Sequence, residues 1–136
     1  MLALDRTVMT ALVIGGDDLL AARRLVVGRD DARVYKRCMM AWSFKLMRNH
    51  GMEIMRAVSK TLADGTISVV PDDVAIVERA NELLAIIDMK QPHGSGWTVD
   101  ICDCIAWAMA EREGGKLATL NPALREHAGP LAALAD

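Results

Sequence analysis

Two aspartates alternate with two cysteines at the start of "TVDICDCIAWAMAEREGGKLATLN", Thr98 to Asn121. Carboxylates and thiolates both ligate metals, so the pattern raises the question of which ion it would suit. "CDC" is not a usual zinc spacing, and no second Cys/His pair stands at finger-like distance. Cys38, Cys102 and Cys104 form an odd set unlike a disulfide framework. Cys102 and Cys104 are expected to be small core residues. The oxygens carry more chemistry. Asp5 ends a first short apolar segment, Asp103 lies in the first turns of a helical pattern, and Asn121 ends the last apolar segment. If those two segments are neighbouring parallel strands, all three side chains gather at the carboxyl edge of the sheet. Clustered oxygens suit Mg2+ or Mn2+, ions that activate a water and clamp a phosphodiester. Each residue also has a plainer reading. Asp5 suits a helix N-cap, Asp100 and Asp103 suit a first helical turn, and Asn121-Pro122 is a common turn pair.

Delivering these residues requires a particular order of elements. "MLAL" is a very short strand running into Asp5. "RTVMTALVIG" and "DDLLAARRLVVG" read as helices stopped by glycine. "RVYKRC" reads as a strand and "MMAWSFKLMRNHG" as a helix, while "MEIMRAVSKTLADG" is amphipathic with Ile54, Val58 and Leu62 on one face. "TISVV" is a β-branched strand ending at Pro71. "PDDVAIVERANELLAIIDM" is a helix with Pro at its start and acids in its first turn. "KQPHGSGW" is a loop that lacks the Lys and Ser/Thr of a phosphate-binding loop. "DICDCIAWAMAEREGG" is a helix, "KLATL" a strand, and "REHAGPLAALAD" a peripheral tail. Short strands separated by helices predict an α/β fold with a mostly parallel sheet. An all-α bundle is the rival.

The chain has 136 residues, of which 52% are hydrophobic and 25% charged, so it is long and apolar enough for one packed domain, 1–136. A net charge of −2 provides no broad basic field. Arg37, Lys45 and Arg48 to His50 offer at most a local basic edge, which also reads as a solvated face. The start has no basic segment followed by an apolar one, and no apolar run is long enough to span a bilayer. A cytoplasmic address and no membrane partner are the expectation.

These residues carry a resemblance. "MLALDRTVMTAL", with Asp5 and Thr7, is similar to the opening of PIN-domain proteins of the VapC toxin type. "TISVVPDDVAIVERANELLA" resembles that family's strand, acidic turn and helix. "DCIAWAMAEREGGKLATLN" resembles its closing pattern, an Asp opening an Ala-rich helix and a strand ending Thr-x-Asp or Thr-x-Asn. The resemblance covers most of the chain in element order. It implies a three-layer α/β/α fold and a metal-dependent endoribonuclease of toxin–antitoxin type using Mg2+ or Mn2+. Asp5, Asp103 and Asn121 would be the metal-site residues, supported by Thr7. It also implies an RNA substrate, an antitoxin partner and a homodimer. The sequence departs from the family in one important place. An acid expected early in the helix after the second strand is missing from "CMMAWSFKLM", where Ser43 or a neighbour stands. Asp100 shares a helix face with Asp103 and is the candidate replacement, ahead of Glu53 and Glu78. A lost carboxylate weakens ion binding, which leaves a weakened or inactive nuclease in view. A non-enzymatic interaction module, PIN-like or helical and of mobile-element type, stays open beside it. The Met-rich segments "MMAWSFKLM" and "MEIM" suit adaptable protein contacts.

Overall fold

A computed structural model describes residues 1–90 and 98–133. Strand β1 (Leu2–Leu4) leads through α1 (Arg6–Ile14) and α2 (Leu19–Val26) to β2 (Ala32–Tyr35). Helices α3 (Lys36–His50) and α4 (Ile54–Asp64) lead to β3 (Ser68–Val70). After α5 (Val74–Lys90) and α6 (Ile101–Arg112), β4 (Lys116–Ala118) is followed by α7 (Pro122–Ala128) and a 3-10 turn, Gly129–Leu131. The four strands form one parallel sheet in the order β3-β2-β1-β4. This overturns the all-α rival.

Alternation along the strands divides the core in two. Leu2, Leu4, Ala32, Val34 and Ala118 pack with Val8, Met9, Leu25, Trp42, Leu46 and Val58, from α1 to α4. Ala3, Tyr35 and Leu117 face the other way, against Ile76, Leu83, Ile87, Ile105, Met109 and Leu124 from α5, α6 and α7. Each fully buried aliphatic side chain stabilises by about 1.5–3 kcal/mol, so layers on both faces hold very short strands in place. The result is a three-layer α/β/α arrangement with β1 and β4 side by side.

Several boundaries shift for identifiable reasons. β2 ends at Tyr35 instead of continuing to Cys38, because its pairing with β3 ends at Tyr35 opposite Val70. Cys38 therefore stands on α3. Helix α3 stops at Gly51, whose φ of +86° is readily adopted only by glycine. Pro71 and the two acids precede α5, contrary to the first-turn expectation. Asp73 caps the helix through the N–H of Ala75 at 2.9 Å, and Asp72 pairs with Arg37 at 3.0 Å. β4 stops at Ala118, opposite the end of β1, so Asn121 lies three residues past the strand. The tail expected to be peripheral is packed: Leu124 is fully buried, and the N–H of Ala133 donates to the Leu117 carbonyl at 2.8 Å. The loop expected over "KQPHGSGW" lies, apart from the helical Lys90, outside the described residues, as do 134–136.

A candidate carboxylate site built around Arg6

The carboxyl ends of β1 and β4 meet through hydroxyl groups. Asp5, one residue past β1, caps α1. Its Oδ1 accepts from the backbone N–H groups of Thr7 at 3.0 Å and Val8 at 3.1 Å, and from the Thr7 hydroxyl at 2.6 Å. Its Oδ2 accepts from the Thr119 hydroxyl. Both threonines also accept from the loop after β4: Thr7 Oγ1 from the N–H of Leu120 at 2.8 Å, Thr119 Oγ1 from that of Asn121 at 3.0 Å. Asp5 is buried, and burial raises its pKa above the ordinary carboxylate value while these hydrogen bonds pull it down.

Asp100 and Asp103 open α6 as a reciprocal capping box. The N–H of Asp103 donates to Asp100 Oδ1 at 2.9 Å, and the N–H of Asp100 to Asp103 Oδ2 at 3.0 Å. The guanidinium of Arg6 lies against both acids. Its Nε and Nη2 fork onto the two Asp103 oxygens, each at 3.2 Å, and Nη1 stands 3.3 Å from Asp100 Oδ2. Asp103 is fully buried, whereas the Arg6 side chain is 33% exposed. Burial pushes the Asp103 pKa up to about 6; the neighbouring charges of Asp100 and Asp5 add to this, while the Asp100 N–H and Arg6 oppose it. Burial also works against the Arg6 charge, but Asp103 and Asp100 outweigh it and its pKa is raised.

Asn121 has a different task. It caps α7, with Oδ1 accepting from the N–H groups of Ala123 at 3.0 Å and Leu124 at 3.3 Å, and Nδ2 donating to the Thr98 carbonyl at 3.2 Å. The structure thus gathers Asp5, Asp100 and Asp103 about Arg6. It joins Asn121 to them through its backbone and Thr119, and along an open depression of about 450 Å³ that Arg6 and Thr7 also line.

On the other side of Arg6 is a cavity of about 200 Å³ between α1, α3 and α6. Its α3 wall consists of Cys38, Met39, Ala41, Trp42 and Lys45, so mostly apolar groups and one cation stand where an acid was sought. Ser43 is buried outside this lining, and among the described residues its hydroxyl has no hydrogen-bond partner. Trp42 Nε1 donates to Thr10 Oγ1 at 2.7 Å, tying α3 to α1. Cys102 also lines the cavity and does not belong to the core proper, in contrast to the expectation; Cys104 does, and burial pushes its thiol up to about 12. Interaction between the Cys38 and Cys102 side chains raises the pKa of Cys38 and lowers that of Cys102.

Arg6, Thr119 and the Cys38–Cys102 pair were not singled out from the sequence. One signal for Arg6 was there: a cation at the first position of a helix, where the dipole disfavours it, directly after an Asp. These residues do not fit a divalent ion in this arrangement. The Asp103 oxygens are engaged by the Arg6 fork and the Asp100 N–H, and those of Asp5 by Thr7, Val8 and Thr119. Among the described residues no three acidic, His or Cys side chains converge to hold a metal ion.

Neither a family model nor a curated protein sequence matches this chain. In overall fold it is similar to the crystal structure of Mycobacterium tuberculosis VapC20, a toxin that cleaves the sarcin–ricin loop. The TM-score is 0.69 at 15% sequence identity, covering 93% of this chain and 94% of that one.

Proposed function

Because the chain has the VapC-type PIN fold, we propose that it is a ribonuclease of the toxin–antitoxin class whose cation-dependent activity is suppressed by its own Arg6. The observation that carries this reading is the Arg6 fork on Asp103, with Asp100 at 3.3 Å. Three carboxylates at the carboxyl edge of a parallel sheet suit a cation, and here the cation is a guanidinium. A fixed guanidinium neutralises the acids but activates no water, so the arrangement favours binding over cleavage.

On this reading Asp5, Asp100 and Asp103 form the acidic centre, Thr7 and Thr119 orient Asp5, and Asn121 positions the loop after β4. Mg2+ or Mn2+ would have to displace Arg6 to act there. The partners are RNA, an antitoxin protein and a second copy of the chain, with the helices after β1 as the dimer surface, in a cytoplasmic setting. Among the described residues no helix is long and apolar enough to cross a membrane.

The test compares wild type with Arg6→Ser, measuring Mn2+ binding by calorimetry and cleavage of a structured RNA. The variant should bind Mn2+ at least about fivefold more tightly, since one opposing charge at contact distance is worth about 1 kcal/mol or more, and should cleave faster. Full Mn2+-dependent cleavage by both proteins at one rate would remove Arg6 from any suppressing role. A second reading, a non-enzymatic interaction module, is favoured by the apolar α3 wall and by Met40 and Phe44, which lie one turn apart on α3, 57% and 55% exposed. It gains if Arg6→Ser binds no Mn2+ and neither protein cleaves RNA.

A further inference from the structure

The cavity beside Arg6 lies where all three layers of the fold meet. Leu4 and Val34, near the carboxyl ends of β1 and β2, line it together with Met9 of α1, Met39 and Trp42 of α3, and Ala106 of α6. Its aromatic walls are anchored. The Trp42 indole donates to Thr10 Oγ1 at 2.7 Å, and the hydroxyl of Tyr35, also in the lining, accepts from the Asp73 N–H at 2.7 Å. Neither ring is therefore free to swing in and fill the space. An apolar cavity of about 150 Å³ takes up a benzene ring. One of about 200 Å³ thus has room for a single ring with a short side chain, on the order of ten non-hydrogen atoms.

Charge selects among molecules of that size. Asp5 has both oxygens engaged by Thr7, Val8 and Thr119, and Asp100 faces the Arg6 guanidinium at 3.3 Å. Lys45, exposed on α3, is the remaining charged group in the lining, and among the described residues it has no ion-pair or hydrogen-bond partner. We propose that this cavity is a binding site for a small aromatic carboxylate, with the ring against Val34, Met39 and Trp42 and the acid group on the Lys45 ammonium. Removing the ring from water drives binding, and the flexible Met39 adapts to its shape. Arg6 lines both this cavity and the carboxylate cluster, so a bound molecule lies beside the group that holds Asp103. The inference goes beyond the ribonuclease reading and does not rest on it, because the cavity takes up its ligand or fails to whether or not RNA is cut.

Phenylacetate has the required size and charge and serves as the probe. It is titrated into the nitrogen-labelled, full-length chain at neutral pH while the indole N–H signals are followed by NMR. The Trp42 signal should shift and saturate, with a Kd on the order of 1 mM or below for a ligand this small. Phenethylamine, of similar size and opposite charge, should bind more weakly. Lys45→Met keeps the apolar stem and should weaken phenylacetate about three- to fivefold, the worth of one exposed ion pair, while leaving the neutral benzyl alcohol unaffected. Ala41→Trp, at an exposed position of the lining, should obstruct the cavity and abolish binding of both. Should either variant not fold, the wild-type comparison of acid and amine decides alone. No saturable shift in wild type, tighter binding of the amine, an unchanged phenylacetate affinity in Lys45→Met, or full binding by Ala41→Trp would overturn the proposal.

Discussion

Arg6 stands where the α1 dipole opposes its charge, and three carboxylates reverse the balance. A helix N-terminus disfavours a cation by some tenths of a kcal/mol. The bidentate contact with buried Asp103 and the nearby charges of Asp100 and Asp5 exceed that cost and raise the Arg6 pKa. Asp103 bears the opposite burden, since burial raises its pKa from 3.8 to about 6. A carboxyl with a raised folded pKa contributes stability that is present below its unfolded value and lost as pH rises through its folded value. Asparagine mimics the neutral form. Asp103→Asn should therefore match wild type near pH 4 and gain on it by about 1–3 kcal/mol toward pH 7, read from urea midpoints across that range. A variant that instead loses ground as pH rises would show that the ion pair with Arg6 outweighs burial.

Helix ends explain why these polar residues sit where they do. Asp5, Asp100 and Asn121 are the N-caps of α1, α6 and α7, and Asp103 completes the capping box of α6. The plain structural reading and the functional one therefore apply to the same residues: starting three helices at one end of the sheet brings three oxygen-bearing caps to that end. The cap role of Asn121 can be tested separately, because its side-chain hydrogen bonds go to Ala123, Leu124 and Thr98 and not to the Arg6 cluster. Asn121→Ala removes two accepted hydrogen bonds and the one donated to Thr98, and should cost about 1–2 kcal/mol in chemical denaturation. Asn121→Asp should keep most of that stability. Equal midpoints for Asn121→Ala and wild type would end the capping account.

At the scale of the molecule, the site exists because β4 lies beside β1. Gly115, just before β4, passes so close to the chain's start that an added Cβ would run into the Met1 carbonyl. Its φ is not positive, so the constraint is steric and lies in the backbone of Met1, just before the neighbouring strand. Gly115→Ala must separate the start of β4 from β1, and should cost about 2–4 kcal/mol. Gly114→Ala is the informative comparison. Its φ is +62° and nothing lies within 4 Å of an added Cβ, so it pays only local strain of about 1 kcal/mol. Thermal unfolding of both variants should rank them in that order, and the reverse ranking would show that the β1–β4 approach is not the tight point.

Much of this was legible along the chain, because the signals that start and stop elements act over a few residues. Leu2–Leu4 ending at Asp5, the glycine stops of α1 and α3, and the acidic opening of α6 all follow from caps and backbone freedom within a turn. The parallel α/β arrangement followed from the alternation of such segments. The lengths of β2 and β4 did not, since a strand lasts only as long as its neighbour pairs with it. Nor did the packing of α7, which depends on burial against Leu117 and not on composition. Asp5, Asp100 and Asp103 were nameable as candidates from their places at element ends. What encircles them was not: Arg6 reaches Asp103 across 97 positions and Thr119 reaches Asp5 across 114. No local pattern encodes such pairings. They exist only once hydrophobic layers on both faces have set the strand order β3-β2-β1-β4, and that order puts a guanidinium among the acids.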